Sequence, residues 1–333
     1  MNYQKVYKYF IGQSGIDDHF FEKDSNGKKY TGKFVIDNKD CKLKSFQKIF
    51  GTTINCNNYE TVVSGEGNEK EKIDTIYSSS LQSLLFFDKT NEHPIKIKIG
   101  GNELEFNEVV FEYKNKVIGY PSSIDVVLMT RDEKTICFIE SKLLEIVRES
   151  SIEGKAVVGI SYFQKNGIGY NQTLDLNNTD LTKIGICFPK DGPYLDRVKG
   201  RSGEKQPINS ISSEETKFVY SEGIKQVLAH LIGISTFKND SFYDKNSDPI
   251  NSHEDFKHYY YIELYNKLPN FDGDELVDVK LRQFKDHFEI VKEIANKKGI
   301  VDQMEIMTYQ ELFKDNYEHL NDLISNFYHW KNT

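Results

Sequence analysis

The chain has 333 residues, enough for one large domain or two small ones, and its 38% hydrophobic and 13% aromatic content excludes a disordered polymer. A formal net charge of −8 excludes attraction of the whole molecule to nucleic acid, so any such binding must come from a local basic surface. The four cysteines, Cys41, Cys56, Cys137 and Cys187, form no CxxC pair. That speaks against structural zinc, and with no need for disulfides at this length the expected compartment is the cytoplasm. The first ten residues lack the apolar core of a signal peptide, and no run of about twenty apolar residues is present to span a membrane.

Residues 1–60 alternate short apolar runs with Gly, Asn, Asp and Lys clusters and read as flanking elements without chemistry. Residues 66–88 read as one helix, with Ile73, Ile76, Leu81, Leu84 and Leu85 at three- and four-residue steps and an acidic start. Ser78, Ser79 and Ser80 then fall in its middle, where small side chains permit close packing. Strands follow at Lys96–Ile99, ahead of a Gly-Gly-Asn turn, and at Val109–Tyr113. Ile124–Met129 and Thr135–Ile139 are apolar on both faces, as in central strands covered on both sides.

A helix is expected from Leu143 to Glu149, and the polar stretch 166–216 holds one strong strand, Ile184–Phe188. Residues 220–234 form a helix with Ile224, Val227, Leu228, Leu231 and Ile232 as its apolar stripe, and with Gln226 and His230 together on another face. Tyr259–Tyr265 reads as a strand, and 276–298 and 315–330 read as amphipathic helices. Nothing repeats internally, so one α/β domain with insertions is expected.

The chemistry concentrates in residues 121–145. A hairpin turn centred between Asp132 and Glu133 sets Asp125 directly across from Glu140 at one strand end. Opposed side chains sit roughly 4.5–5.5 Å apart at their β-carbons. Two carboxylates at that spacing repel unless a cation or proton lies between them. Glu140 and Lys142 share a face and Ser141 takes the other. Mg²⁺, with Mn²⁺ as a substitute, suits such a site: it accepts one or two protein carboxylates, and the Ser141 carbonyl offers a third oxygen. Lys142 beside it suits stabilisation of a phosphate transition state. An acidic-x-Lys triplet alone is a weak signal, since Asp37-Asn38-Lys39, Glu112-Tyr113-Lys114, Glu215-Thr216-Lys217 and Asp278-Val279-Lys280 share it. Only Glu140-Ser141-Lys142 closes a buried strand whose hairpin partner opens on an acid.

Pro121 and Asp125 followed by Glu140-Ser141-Lys142 resemble the PD-(D/E)xK nuclease superfamily. Further landmarks are Gly67-Asn68-Glu69 before Tyr77–Leu81, Glu140–Glu145, Gln226–His230 and Thr308–Leu312. In that order they resemble a group of restriction-endonuclease-like bacterial proteins. The resemblance implies a restriction-endonuclease-like core, with a central mixed β-sheet flanked by helices on both faces. On this chain the core spans about 62–150 and 217–268, with an insertion at about 166–216 and a C-terminal helical part at about 274–333.

The resemblance also implies Asp125 and Glu140 as metal ligands, Lys142 as the catalytic lysine, Glu69 as an additional acid on the first core helix, and Gln226 near the site. The implied activity is Mg²⁺-dependent hydrolysis of DNA phosphodiesters in restriction or host defence. RNA processing and a nuclease-fold binding module that no longer cuts are the alternatives. Cutting two strands calls for two sites, so a homodimer is expected. Basic Arg197, Lys199, Arg201 and Lys205 are candidate phosphate contacts. Against these readings stand bland ones: a dipole-stabilising Glu69, a packed His230 and a solvated basic loop.

Overall fold

In the computed structural model the described residues are 3–37, 41–65, 69–115, 122–143, 174, 221–239, 250, 256–269 and 275–331. They form a mixed α/β fold around a five-stranded mixed sheet. The flank begins with α1 (Tyr3–Gly12), the ribbon of β1 (Phe21–Lys23) and β2 (Tyr30–Phe34), α2 (Lys42–Phe50) and α3 (Cys56–Val63). Then come α4 (Glu69–Lys72), α5 (Ser79–Phe87) and a hairpin of β3 (Ile95–Ile99) and β4 (Asn102–Phe106). The hairpin turns on Gly100 and Gly101, both at positive φ, a conformation that glycine adopts without a Cβ penalty.

The central sheet runs in the order β5 (Glu108–Asn115), β6 (Ser122–Thr130), β7 (Thr135–Lys142), β8 (His258–Tyr265) and β9 (Gln303–Thr308). The first three are antiparallel, and β7, β8 and β9 are parallel neighbours. Parallel pairing of β7 with β8 requires a crossover, and α6 (Ser221–Asn239) lies in it. All eight residues of β7 are buried, as its central place demands. The chain ends with α7 (Glu275–Lys297), β9, α8 (Tyr309–Asn316) and α9 (Asp322–Phe327).

Two apolar cores lie on opposite faces of this sheet. Val126, Leu128, Cys137 and Ile139 face α5 and the N-terminal flank; Val127, Met129, Ile136 and Phe138 face α6 and α7. Helices therefore cover both faces, as expected, and the flank is integral to one core rather than peripheral to it. Among the described residues no helix is long and apolar enough to cross a membrane.

Three expectations need correction. Residues 66–88 are not one helix: the chain between α4 and α5 is drawn into β-bridge contact with β2 through Lys33 and Thr75. Ser78 is consequently the N-cap of α5, accepting from Leu81 N–H, rather than a mid-helix residue. The C-terminal part is not wholly helical. Gln303–Thr308 adds the edge strand of the sheet, and Thr308 is also the N-cap of α8, with a full capping box to Glu311. The helix expected from Leu143 to Glu149 beyond its first residue, the strand Ile184–Phe188 and the basic quartet Arg197, Lys199, Arg201 and Lys205 lie outside the described residues.

Gly233 explains how α6 reaches the sheet. A Cβ there would lie 2.5 Å from the Cβ of Asn115 at the end of β5, so helix and strand are in backbone-close contact. A mid-helix glycine costs about 1 kcal/mol against alanine in propensity alone, a cost set against that approach. Gly233→Ala is expected to destabilise the fold by about 1–3 kcal/mol through overpacking. Urea denaturation checks this; an unchanged midpoint would show that the contact is not tight.

Candidate active site

The β6–β7 hairpin has the expected register. Thr130 pairs with Thr135 and Val126 with Ile139, around a turn at Arg131–Lys134. Backbone pairing of these strands stops at Val126–Ile139, one step before Asp125. On the other side β6 pairs with β5, but the Glu112–Asp125 step is missing from an otherwise continuous register. Glu112 has φ 48°, in the left-handed region.

Side chains two residues apart in these strands then face opposite cores. Phe111 and Val126 face one, Tyr113 and Ile124 the other. Both strands therefore rotate about Glu112 and Asp125, and β6 peels away from β7 there. A non-glycine residue in this conformation costs on the order of 1–2 kcal/mol, which the surrounding packing must offset.

This opening decides what Asp125 does. Instead of simply facing Glu140 across a ladder, its Oδ2 accepts the Ser141 backbone N–H at 2.7 Å. Ser141 lies between Glu140 and Lys142, so the two acids and the lysine do converge on one strand end. The N–H and C=O of one strand residue point toward the same neighbouring strand, so the Ser141 carbonyl is also directed to the opened side. The Ser141 side chain takes the opposite face, where its hydroxyl lies 2.8 Å from Tyr309 Oη. Tyr309 in turn reaches Ser83 of α5 at 3.3 Å.

On the α6 face, Glu140 Oε1 accepts from Lys142 Nζ and from Gln226 Nε2, and Gln226 Oε1 accepts from Lys142 Nζ at 2.8 Å. Glu140 Oε2 lies 3.0 Å from His230 Nε2, within ion-pair distance. These two atoms are off the line of a hydrogen bond, and neither has a hydrogen-bond partner among the described residues. His230 Nδ1 is 2.5 Å from Ser122 Oγ. Glu140, Lys142 and His230 are buried, whereas Asp125 is partly exposed and marks the open side.

The electrostatics divide the two acids. Burial pushes Glu140 up, but the Lys142 ammonium and the His230 ring outweigh it and hold its pKa down at about 2. Desolvation, and then the carboxylates of Glu140 and Glu112, push Asp125 well above the usual carboxylate range. Opposed shifts on neighbouring carboxyls are found at functional sites and in structural ion-pair networks alike. The cation fit follows from donor type. Two carboxylates and a backbone carbonyl are hard oxygen donors of the kind and number that Mg²⁺ takes from proteins. Among the described residues no group of three or more His, Cys, Asp or Glu side chains is gathered to hold a metal.

Of the residues singled out in the sequence, Asp125, Glu140, Ser141, Lys142 and Gln226 come together. Glu69 lies on α4, a separate four-residue helix rather than the longer α5, and its side chain is outside the described atoms. Three participants escaped the sequence reading. Glu112, discounted there as part of a rival triplet, bonds Ser123 Oγ at 2.8 Å and acts electrostatically on Asp125. Tyr309 stood in the Thr308–Leu312 landmark without a role. Glu263 is the β8 neighbour of Glu140 in register, buried and accepting from Tyr261 Oη at 2.5 Å. An acid inside the apolar run Tyr259–Tyr265 was the available signal. Comparison with known proteins yields no likeness: no family model matches the chain, and neither a curated protein nor a solved structure matches it.

Proposed function

We propose that the protein is a divalent-metal-dependent nuclease that hydrolyses DNA phosphodiester bonds, with a site of the PD-(D/E)xK type on a restriction-endonuclease-like core. The observation that carries this reading is the convergence of Asp125, Glu140 and Lys142 at the point where β6 leaves β7. A mixed sheet between helices, and a Gln226 that reaches both Glu140 and Lys142, support it.

In this reading Asp125, Glu140 and the Ser141 carbonyl would hold Mg²⁺. When bound, the ion supplies Lewis acidity, lowering the pKa of a water and offsetting charge on the phosphate. Asp125 meets the phosphate side because it is the partly exposed acid. Gln226 keeps Lys142 and Glu140 in fixed relation through its amide oxygen and nitrogen. Lys142, held against Glu140 and Gln226, would donate to the attacking water or to a phosphate oxygen, a charge-assisted bond that strengthens as charge develops. Burial of Glu140 and Lys142 keeps water from screening these terms. A restriction or host-defence role, and assembly as a homodimer, are part of the same proposal.

The test is cleavage of supercoiled plasmid. The expected result is nicking or linearisation in Mg²⁺ or Mn²⁺ that chelation abolishes. Cleavage of structured RNA with plasmid left intact would move the reading to RNA processing, and cleavage of neither would favour a binding module.

A further inference from the structure

We propose that Ser122 and His230 form a buried relay that fixes the plane of the Glu140 carboxylate, which makes His230 a positioning residue for the cation site; this inference rests on the metal-dependent reading above. Glu140 Oε1 is already engaged by Lys142 and Gln226. Among the described residues, the polar group beside its Oε2 is His230 Nε2, at an ion-pair distance of 3.0 Å but off the line of a hydrogen bond. The far side of the ring is held by Ser122 Oγ, 2.5 Å from Nδ1. His230 is 1% exposed and Glu140 2%, so water does not replace either partner cheaply.

The Glu140 carboxylate sets the tautomer, and the Ser122 hydroxyl donates or accepts to match. If Ser122 donates to a bare Nδ1, the proton of a neutral ring is on Nε2 and faces Glu140. If the ring is a cation, Ser122 accepts from Nδ1 and Nε2–H still faces Glu140. The remaining state, a neutral ring protonated at Nδ1, sets a lone pair against a buried carboxylate oxygen and is strongly disfavoured. In both allowed arrangements the Nε2–H side of the ring faces Glu140 Oε2 at ion-pair distance.

The relay also explains the spacing along the chain. Gln226 and His230 stand one helical turn apart on α6, so one helix face grips each oxygen of the same carboxylate. Ser122 opens β6 and precedes Asp125 by three residues. The strand carrying one acid is therefore tied through an imidazole to the other acid. A residue that only filled space against Tyr261, whose ring lies 6.0 Å away, needs neither nitrogen.

The experiment is isothermal titration of Mn²⁺ into the full-length protein and into His230→Phe, His230→Gln and Ser122→Ala. Loss of an outer partner of a metal ligand costs about 10–100-fold in affinity. His230→Phe is expected in that range, His230→Gln should recover most of the loss through its amide N–H, and Ser122→Ala should fall between them and wild type. In plasmid cleavage, the Mn²⁺ concentration giving half-maximal rate should rise in step with the affinity loss, while the rate at saturating metal is largely kept. A merely structural defect would lower the rate at every concentration.

Wild-type affinity in His230→Phe or in Ser122→Ala overturns the relay, as does a His230→Gln variant no better than His230→Phe. Should His230→Phe fail to fold, Ser122→Ala and His230→Gln carry the same comparison. Absence of binding by wild type overturns the metal reading itself. Binding lost in Asp125→Asn but untouched in the relay variants overturns the relay alone.

Discussion

Replacing Lys142 with methionine is expected to lower Mg²⁺-dependent plasmid cleavage by about 10²–10³-fold, the usual consequence of removing one preorganised donor from a developing charge. Methionine keeps the apolar stem and removes only the ammonium. The same change should also cost stability, because Glu140 stays buried as a carboxylate without its strongest partner. Breaking a buried ion pair from one side costs about 3–5 kcal/mol; Gln226 and His230 still address Glu140, which places the expected loss at the lower end. Cleavage at saturating Mg²⁺ and a urea melt read the two effects separately. Nicking by Lys142→Met at the wild-type rate would remove this lysine from the chemistry.

Asp125→Asn is expected to have the opposite sign on stability and an equally large effect on function. The amide oxygen still accepts the Ser141 N–H, so the local hydrogen bond survives. What disappears is a charge disfavoured first by burial and then by Glu140 and Glu112. The metal-free variant should therefore be more stable, by about 1 kcal/mol, in line with other relieved functional sites. In a chain this long that amounts to roughly 2 °C or less. Wild type at a cation concentration of about 100 times Kd should gain about 2.7 kcal/mol from binding, and the variant should gain none. Thermal melts with and without Mn²⁺ read both numbers. A variant that melts below wild type without metal would show that Asp125 stabilises the fold rather than straining it.

The parts of this molecule legible in its sequence are those governed by periodicity. The β6–β7 register followed from a turn between Asp132 and Glu133, and Gln226 and His230 share a face because four residues make about one helical turn. The stripe Ile224, Val227, Leu228, Leu231 and Ile232 is buried as its spacing required. What escaped depends on tertiary contact. The break between α4 and α5 is imposed by β2, far away in sequence, and β9 is a strand because β8 offers it an edge. The rotation at Glu112 and Asp125 has no local mark at all. A glutamate at positive φ carries none of the glycine or asparagine signals that announce such a conformation. That rotation is also why the opposition of Asp125 and Glu140, correct in register, is realised through the Ser141 N–H rather than as a flat cross-strand pair.

The proposed chemistry requires Asp125 and Glu140 to share one divalent cation. Isothermal titration of Mn²⁺ into the wild-type protein and into Asp125→Asn tests that sharing without any substrate. The predicted result is saturable binding of one ion per site in wild type and a flat trace in the variant. Equal binding by the two proteins, or no binding by wild type, would contradict it.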